Sequence, residues 1–321
     1  MIRRTILALA LLGLTAPSLH AAVVTVTDCV NDSHIQVNLG TDQTKIDVGA
    51  DDLVLDCALT PLSGTHRIQL AARNMTIRGD VIASGATNAV HIDASGTFTA
   101  TGVTIQSANN NGDMNITVAG DMTFTDATVI VGQDLTNGGD TMNITCAGTS
   151  PDCTINATNS TFKSGNLFIT SVGDILMRTT HIITVSPRDD SRIESTHGNV
   201  CLPCDDDISV GNESSLKIFA FGFIDLPAIK ILVAQNITIT SGVGAGAASV
   251  DAHIDLTGAT INNNFGKPGS ITITADEGHG QVTILDAIII QEGPGVATIN
   301  DRSTLPHQGF NNIVGVPQID Q

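Results

Sequence analysis

Residues 188 to 194 gather Arg188, Asp189, Asp190, Arg192 and Glu194 in one short stretch. Acids and bases this close could serve one reaction centre if the fold turns them into a common groove. Asp205, Asp206 and Asp207 follow as an uninterrupted acidic triplet. Three adjacent carboxylates repel one another unless solvent or a cation screens them, and hard cations such as Ca²⁺ take oxygen ligands of this type. The ordinary reading of such runs is solvated surface acid, and calcium binding and catalysis are the sharper alternatives. Asp51-Asp52 forms a third acidic step. Arg78-Gly79-Asp80 reads either as an exposed turn that an adhesion receptor could engage or as a corner glycine between two charges.

Six cysteines suggest disulfides. Cys146 and Cys153 bracket a short loop, and Cys29 and Cys57 lie where a bridge could close the first coil of the fold. Cys201-Leu202-Pro203-Cys204 has the spacing of a redox pair. A redox CxxC, however, works at a helix N-terminus that lowers a thiol pKa, and this one ends a predicted strand. A structural bridge is the expectation there, with redox or metal chemistry as alternatives. The histidines are scattered, with no spaced ligand pair such as HExxH. His91 and His253 both precede Ile-Asp and read as equivalent outward positions of a repeat. No nucleophile elbow, P-loop or dinucleotide fingerprint occurs in a strand-to-helix context. The acids admit Ca²⁺ as a cofactor, and nothing else points to one.

Composition narrows the partners. The formal net charge of −18 excludes nucleic acid or anionic lipid as a favoured partner, since phosphate binding needs clustered Lys and Arg. Trp and Tyr are absent, which removes the usual stacking platforms for sugars. Residues 1–21 read as an export signal, with Arg3 and Arg4 ahead of an apolar run from Ile6 to Leu14. That run is too short to span a bilayer, and no later segment resembles a membrane helix. The expected mature chain is therefore exported, secreted or surface-held, with the periplasm as the alternative.

What must position these groups is a repeat. Glycine recurs at Gly96, Gly120, Gly173, Gly198, Gly222 and Gly280, flanked each time by short alternating apolar runs. A period in this range, built from very short strands, is the signature of a solenoid. Each coil parses into three strands, a, b and c: Ile68–Leu70, Met75–Ile77 and Val81–Ala83 in one, Met114–Val118, Asp121–Phe124 and Thr128–Val131 in another. Alternation sends every second side chain inward, Phe98 and Phe124 among them. The recurring glycine falls at the a-to-b corner, where a positive φ is the expected reason for it. Loop variation concentrates between c and a, and an insertion at residues 242–249 falls at an a-to-b corner.

On these strands the chain resembles the right-handed parallel β-helix proteins, above all the haemagglutinin-like repeats of bacterial secreted adhesins. The phrases that carry the likeness are Asn137-Gly138-Gly139-Asp140-Thr141-Met142-Asn143-Ile144-Thr145 and Pro268-Gly269-Ser270-Ile271-Thr272-Ile273-Thr274. The resemblance implies an all-β, single-stranded right-handed parallel β-helix of about ten coils with three short strands each. The expected division is a signal at 1–21, an N-terminal cap at 22–44, the helix at 45–300 and a tail at 301–321. It also implies an exported, non-enzymatic adhesin-like or structural protein with a cell-surface protein or glycan as partner. The alternative within the same fold is a Ca²⁺-dependent polysaccharide lyase, in which acids hold the ion against a uronate and Arg or Lys removes a proton. An ice- or mineral-binding face needs a flat ladder of Thr or Asp. The Thr97-Thr99 and Thr123-Thr125 steps meet Leu176, Cys201 and Asp225 in their column instead.

Overall fold

The computed structural model describes residues 21–38, 42–60, 66–84, 89–108, 112–132, 140–148, 153–185, 190–202, 206–211, 214–233, 235–243, 252–263, 269–275, 281–291, 295–300, 313–314 and 317–320. Their regular structure is all strand, arranged in three parallel sheets that run the length of a right-handed β-helix. The hand is the one that parallel crossover connections take almost without exception. The a sheet holds 13 strands, the b sheet 11 and the c sheet 10. Nine consecutive coils, from Arg67–Ala72 to Ile288–Gln291, place one strand in each sheet, close to the ten expected. The strands Ile313–Val314 and Pro317–Asp320 extend the c and a sheets beyond residue 300.

Each strand pairs in parallel with its equivalent one coil on. Val90–Ala94, Met114–Val118 and Thr141–Cys146 stack in register in this way. The exception is at the N-terminus, where Ile35–Asn38 folds back antiparallel on Gln43–Asp47. That strand is the N-terminal edge of the a sheet, and its antiparallel direction departs from the parallel stacking a further coil would continue.

The core is built of columns. In the middle of the a sheet, Ile92, Ile116, Ile144, Ile169, Ile193, Ile218, Ile239, Ile273 and Ile299 lie in one inward file, each at most 1% exposed. Each buried isoleucine contributes about 1.5–3 kcal/mol relative to exposure. Phe98 and Phe124 of the b sheet and Phe162 of the c sheet pack ring on ring inside the coils, with centroids 5.5 and 5.3 Å apart. The a strand alternates because one face must fill this column while the other stays in water.

The corner glycines are explained differently from the expectation. None of Gly96, Gly120, Gly173, Gly198 and Gly222 has a positive φ. A Cβ on Gly120 would instead stand 2.8 Å from the carbonyl oxygen of Gly96 one coil below. On Gly222 it would stand 2.1 Å from Asn199 Oδ1. Glycine is there because successive corners stack backbone on backbone: Gly120 N–H donates to Gly96 O at 2.7 Å, and Gly222 N–H to Gly198 O at 2.9 Å. The left-handed residue sits at the other corner, between b and c, in the column Gly102, Asp126, Asn159, Thr179, Ala228, Gly258 and Asp286. Gly280 lies outside the described residues.

A polar ladder locks the a-to-b corner from outside. Asn74 accepts from Thr97 N–H at 2.8 Å, Asp121 from Thr154 N–H at 2.9 Å, Asp174 from Asn199 N–H at 2.8 Å and Asn199 from Phe223 N–H at 3.0 Å. Each side chain satisfies a backbone donor of the next coil that no strand pairing reaches.

Both sequence-expected loop bridges are present. Cys29 bonds Cys57, and Cys146 bonds Cys153 across the a-to-b corner of its coil. The second bridge clips the longest b-to-b step, 33 residues from Met122 to Ile155, so that Cys153 takes the place glycine holds elsewhere and accepts from Gly173 N–H. Cys201 is a free, half-buried thiol, and Cys204 lies outside the described residues. Chain-entropy arithmetic gives about 3.5 kcal/mol for the 28-residue separation and about 2.5 kcal/mol for the 7-residue one. The Cys29→Ser/Cys57→Ser variant is therefore expected to melt lower than Cys146→Ser/Cys153→Ser. A calorimetric scan of the two, each against the oxidised parent, checks the order.

Candidate binding face

Among the described residues, the charges singled out in the sequence fall into separate pairs on two sheets. Arg188, Asp189 and Asp205 lie outside the described residues. Asp190 immediately precedes an a strand and pairs with Lys217 Nζ of the next coil. Arg192 Nη2 bonds Glu194 Oε1 at 2.6 Å on the same strand, and its guanidinium lies 4.8 Å above the Phe219 ring. Arg192 is thus held by a carboxylate and a ring, not presented as a free base. Asp206 and Asp207 point to opposite sides of the chain. Asp206 is 2% exposed and accepts from the Thr180 amide, while Asp207 begins a c strand and meets His181 at 3.3 Å. Strand alternation forbids the two from sharing one cation, and Arg192 and Glu194 stand on the a sheet while Asp207 stands on the c sheet. Among the described residues, no group of three or more His, Cys, Asp or Glu side chains is placed to hold a metal.

Arg78-Gly79-Asp80 turns the chain between b and c. Its carboxylate is engaged: Asp80 accepts from Thr104 N–H at 2.7 Å. Gly79 packs against Cys57, where a Cβ would stand 2.1 Å from the carbonyl oxygen. Arg78 alone is exposed. Asp52 is likewise occupied by Arg73, Nε and Nη2 each at 3.0 Å, which holds its carboxyl below the usual range. His91 and His253 are not equivalent positions. His91 is on the a sheet, paired with Asp93 at 2.8 Å, and His253 is on the b sheet, stacked on Phe223 at 5.2 Å.

What the fold does assemble is the outward surface of the a sheet. Two files run along it. One reads Lys45, Gln69, His91, Asn115, Asn143, Phe168, Arg192, Lys217, Thr238, Thr272 and Thr298. The other reads Asp47, Ala71, Asp93, Thr117, Thr145, Thr170, Glu194, Phe219, Thr240, Thr274 and Asn300. Neighbouring coils lie about 4.8 Å apart, so amides, hydroxyls and paired charges stand in rows along the face, interrupted by Ala71, Phe168 and Phe219. Asn143 donates to Asn115 at 2.9 Å and Asn300 to Thr274 at 3.0 Å within it. Toward the N-terminus a cleft of about 420 Å³ opens on this face, lined by Gln43, Arg67, Ile68, Gln69, His91 and Asn115.

The b sheet carries a smaller acidic patch. Asp225 is raised above the ordinary carboxylate range by burial and by Asp255. The Cys201 thiol beside it is raised to about 11 by burial, then by Asp225 and Asp174. A thiol held protonated at neutral pH is a poor nucleophile. At the c-to-a edge Asp140 is 3% exposed, and its Oδ1 has no hydrogen-bond partner among the described residues. Burial first, then Asp113, raises its carboxyl to about 7.

Neither Asp140 nor the cleft stands out in the sequence. The signal available for the cleft is one outward position shared by successive a strands, where Gln69, His91, Asn115 and Asn143 follow one another as polar side chains.

The fold and this face define a right-handed parallel β-helix with one long polar sheet surface. No protein-family model matches the chain, and no curated protein or solved structure matches it. No helix of the described residues is long and apolar enough to cross a membrane.

Proposed function

We propose that this chain is an exported, non-enzymatic adhesin-like protein that binds a cell-surface protein or glycan through the outward face of its a sheet. The observation that carries this reading is the make-up of the outward a face. The described charges of the stretch from Asp190 to Glu194 are tied up, Asp190 by Lys217 and Arg192 by Glu194 and Phe219, while Asn115, Asn143, Thr117, Thr145 and Thr170 stand in adjacent rows on successive coils of the same face. A rigid sheet holds such groups without the ordering cost that a loop-built site incurs on binding. Two disulfides fit an oxidising compartment, and the leading 21 residues read as the signal that delivers the chain there.

The test compares two faces of the mature protein. Thr117→Arg/Thr145→Arg/Thr170→Arg puts bulky charge across the a face, and Thr76→Arg/Thr99→Arg/Thr123→Arg does the same on the b face. Adsorption to epithelial cells and to a glycan panel is expected to fall at least tenfold for the first variant and to hold for the second. Equal loss from both, or no adsorption by the parent, sinks the reading. Incubation of the parent with acidic polysaccharides and Ca²⁺ is expected to give no unsaturated uronate product, and product formation would replace the adhesin with the lyase.

A further inference from the structure

We infer that the cleft at the N-terminal end of the a face is a subsite for an acidic saccharide, recognised through its carboxylate by Arg67 and through its hydroxyls by the surrounding amides. The inference rests on the proposed adhesin reading and names the ligand class of that face.

The argument starts from the donors and acceptors. Arg67 opens an a strand, is exposed, and forms no side-chain ion pair or hydrogen bond among the described residues. The neighbouring bases of this face are already matched, Lys45 to Asp47 at 2.9 Å and His91 to Asp93 at 2.8 Å. An unmatched guanidinium at the wall of a cleft presents a planar fork of donors suited to a carboxylate, and it has no acceptor with which to bind a cation.

The other groups read hydroxyls. Gln43 Nε2 donates to Gln69 Oε1 at 2.9 Å, which leaves the Gln69 amide nitrogen and the Gln43 carbonyl to face a ligand. Asp93 takes the Nε2 position of His91, which leaves Nδ1 as the ring nitrogen not engaged by it. Asn115 completes the lining. Donors and acceptors thus alternate around one cation, the pattern a polyhydroxylated monoanion would satisfy. No aromatic ring lines the cleft apart from the His91 imidazole, so binding there is by hydrogen bonding and charge, not by the stacking that Trp or Tyr would supply. Its volume of about 420 Å³ falls in the range of small-molecule clefts, roughly 300–1,000 Å³, and takes a sugar or two of a longer chain.

The rest of the molecule strengthens the discrimination. With a net charge of −18 the protein repels polyanions generally, so an acidic ligand must be met by a specific cation. Free sugar acids and the acidic residues of a polymer share the chemistry, and chain length separates them in the experiment.

Isothermal titration of the full mature protein with galacturonate, trigalacturonate and the neutral maltotriose tests the site. Trigalacturonate is expected to bind at least tenfold more tightly than maltotriose, with monomeric galacturonate weaker than the trimer if a polymer is the source. Arg67→Gln is expected to remove at least tenfold of the acidic-sugar affinity. Lys230→Gln, an equal charge loss on an exposed c-sheet position, is expected to leave it intact. Equal affinity of parent and Arg67→Gln, equal loss in Lys230→Gln, or maltotriose matching trigalacturonate overturns the inference. Circular dichroism confirms that each variant is folded. Cell and glycan-panel adsorption of the same Arg67→Gln sample separates the two readings. Adsorption without acidic-sugar binding removes the subsite and keeps the adhesin, and a parent that neither adsorbs nor binds the acidic sugar removes both.

Discussion

Gly79→Ala is expected to cost more than about 3 kcal/mol, seen as a fall of several degrees in melting temperature or as loss of soluble protein, while Gly102→Asn leaves the melt within about two degrees. The two glycines sit on consecutive coils near the same corner and do opposite things. A methyl group on Gly79 would stand 2.1 Å from the Cys57 carbonyl oxygen and 2.3 Å from its carbon. Neither atom can retreat, because Cys57 is fixed by its bridge to Cys29 and the strand just before it, Asp52–Leu55, by pairing with Val23–Val26. The coils would have to separate, and the Arg78-to-Leu55 and Leu59-to-Asp80 backbone hydrogen bonds of 2.8 Å would lengthen with them. Gly102 has a φ of +63°, and a methyl group added there would meet nothing within 4 Å. Asparagine tolerates that backbone region, and Asp126 and Asn159 hold the same position in the next two coils. Equal melts for the two variants would remove the stacking explanation of the glycines. The comparison also bears on Arg78-Gly79-Asp80, whose glycine is required by packing whether or not any receptor reads the tripeptide.

The fold is legible in the sequence because an inward side chain must recur wherever a strand crosses the core. Apolar alternation gives Met114–Val118 and Thr128–Val131 the bounds they have in the structure, and it places the start of Met122–Thr125 one residue early. Such a pattern reports which residues face the core. It does not report which residues of different coils share an outward file, since that depends on register across coils of unequal length. His91-Ile92-Asp93 and His253-Ile254-Asp255 are alike in sequence, yet they fall on the a and b sheets. The same reason hides the cleft. Gln43, Gln69, His91 and Asn115 are separated by 26, 22 and 24 residues, and no single one of them stands out. Adjacent acids are conspicuous in sequence, but alternation sends Asp206 inward and Asp207 outward.

Asp140→Asn is expected to stabilise the protein by up to about 4 kcal/mol at pH 8 and to have almost no effect at pH 4. The carboxyl is 3% exposed, leaves Oδ1 unpartnered among the described residues, and titrates at about 7 in place of 3.8. Between those two values the folded chain holds a proton that the unfolded chain has released. Folding is therefore linked to proton uptake, and stability falls as the pH rises from about 4 to about 7, then levels off. A shift of this size at about 1.36 kcal/mol per unit sets the upper bound. Asparagine keeps the shape and removes the titration. Urea midpoints of parent and variant across pH 4 to 8 should start together and diverge, the parent losing stability that the variant keeps. The backbone of Asp140 supplies the counter-test. Its carbonyl oxygen accepts from Asn166 N–H at 2.8 Å and would stand 2.6 Å from a Cβ at Gly165. Gly165→Ala should therefore destabilise equally at both ends of the pH range. Parallel pH profiles for parent and Asp140→Asn would mean that the carboxyl finds a solvent or cation partner, and that its burial carries no charge penalty.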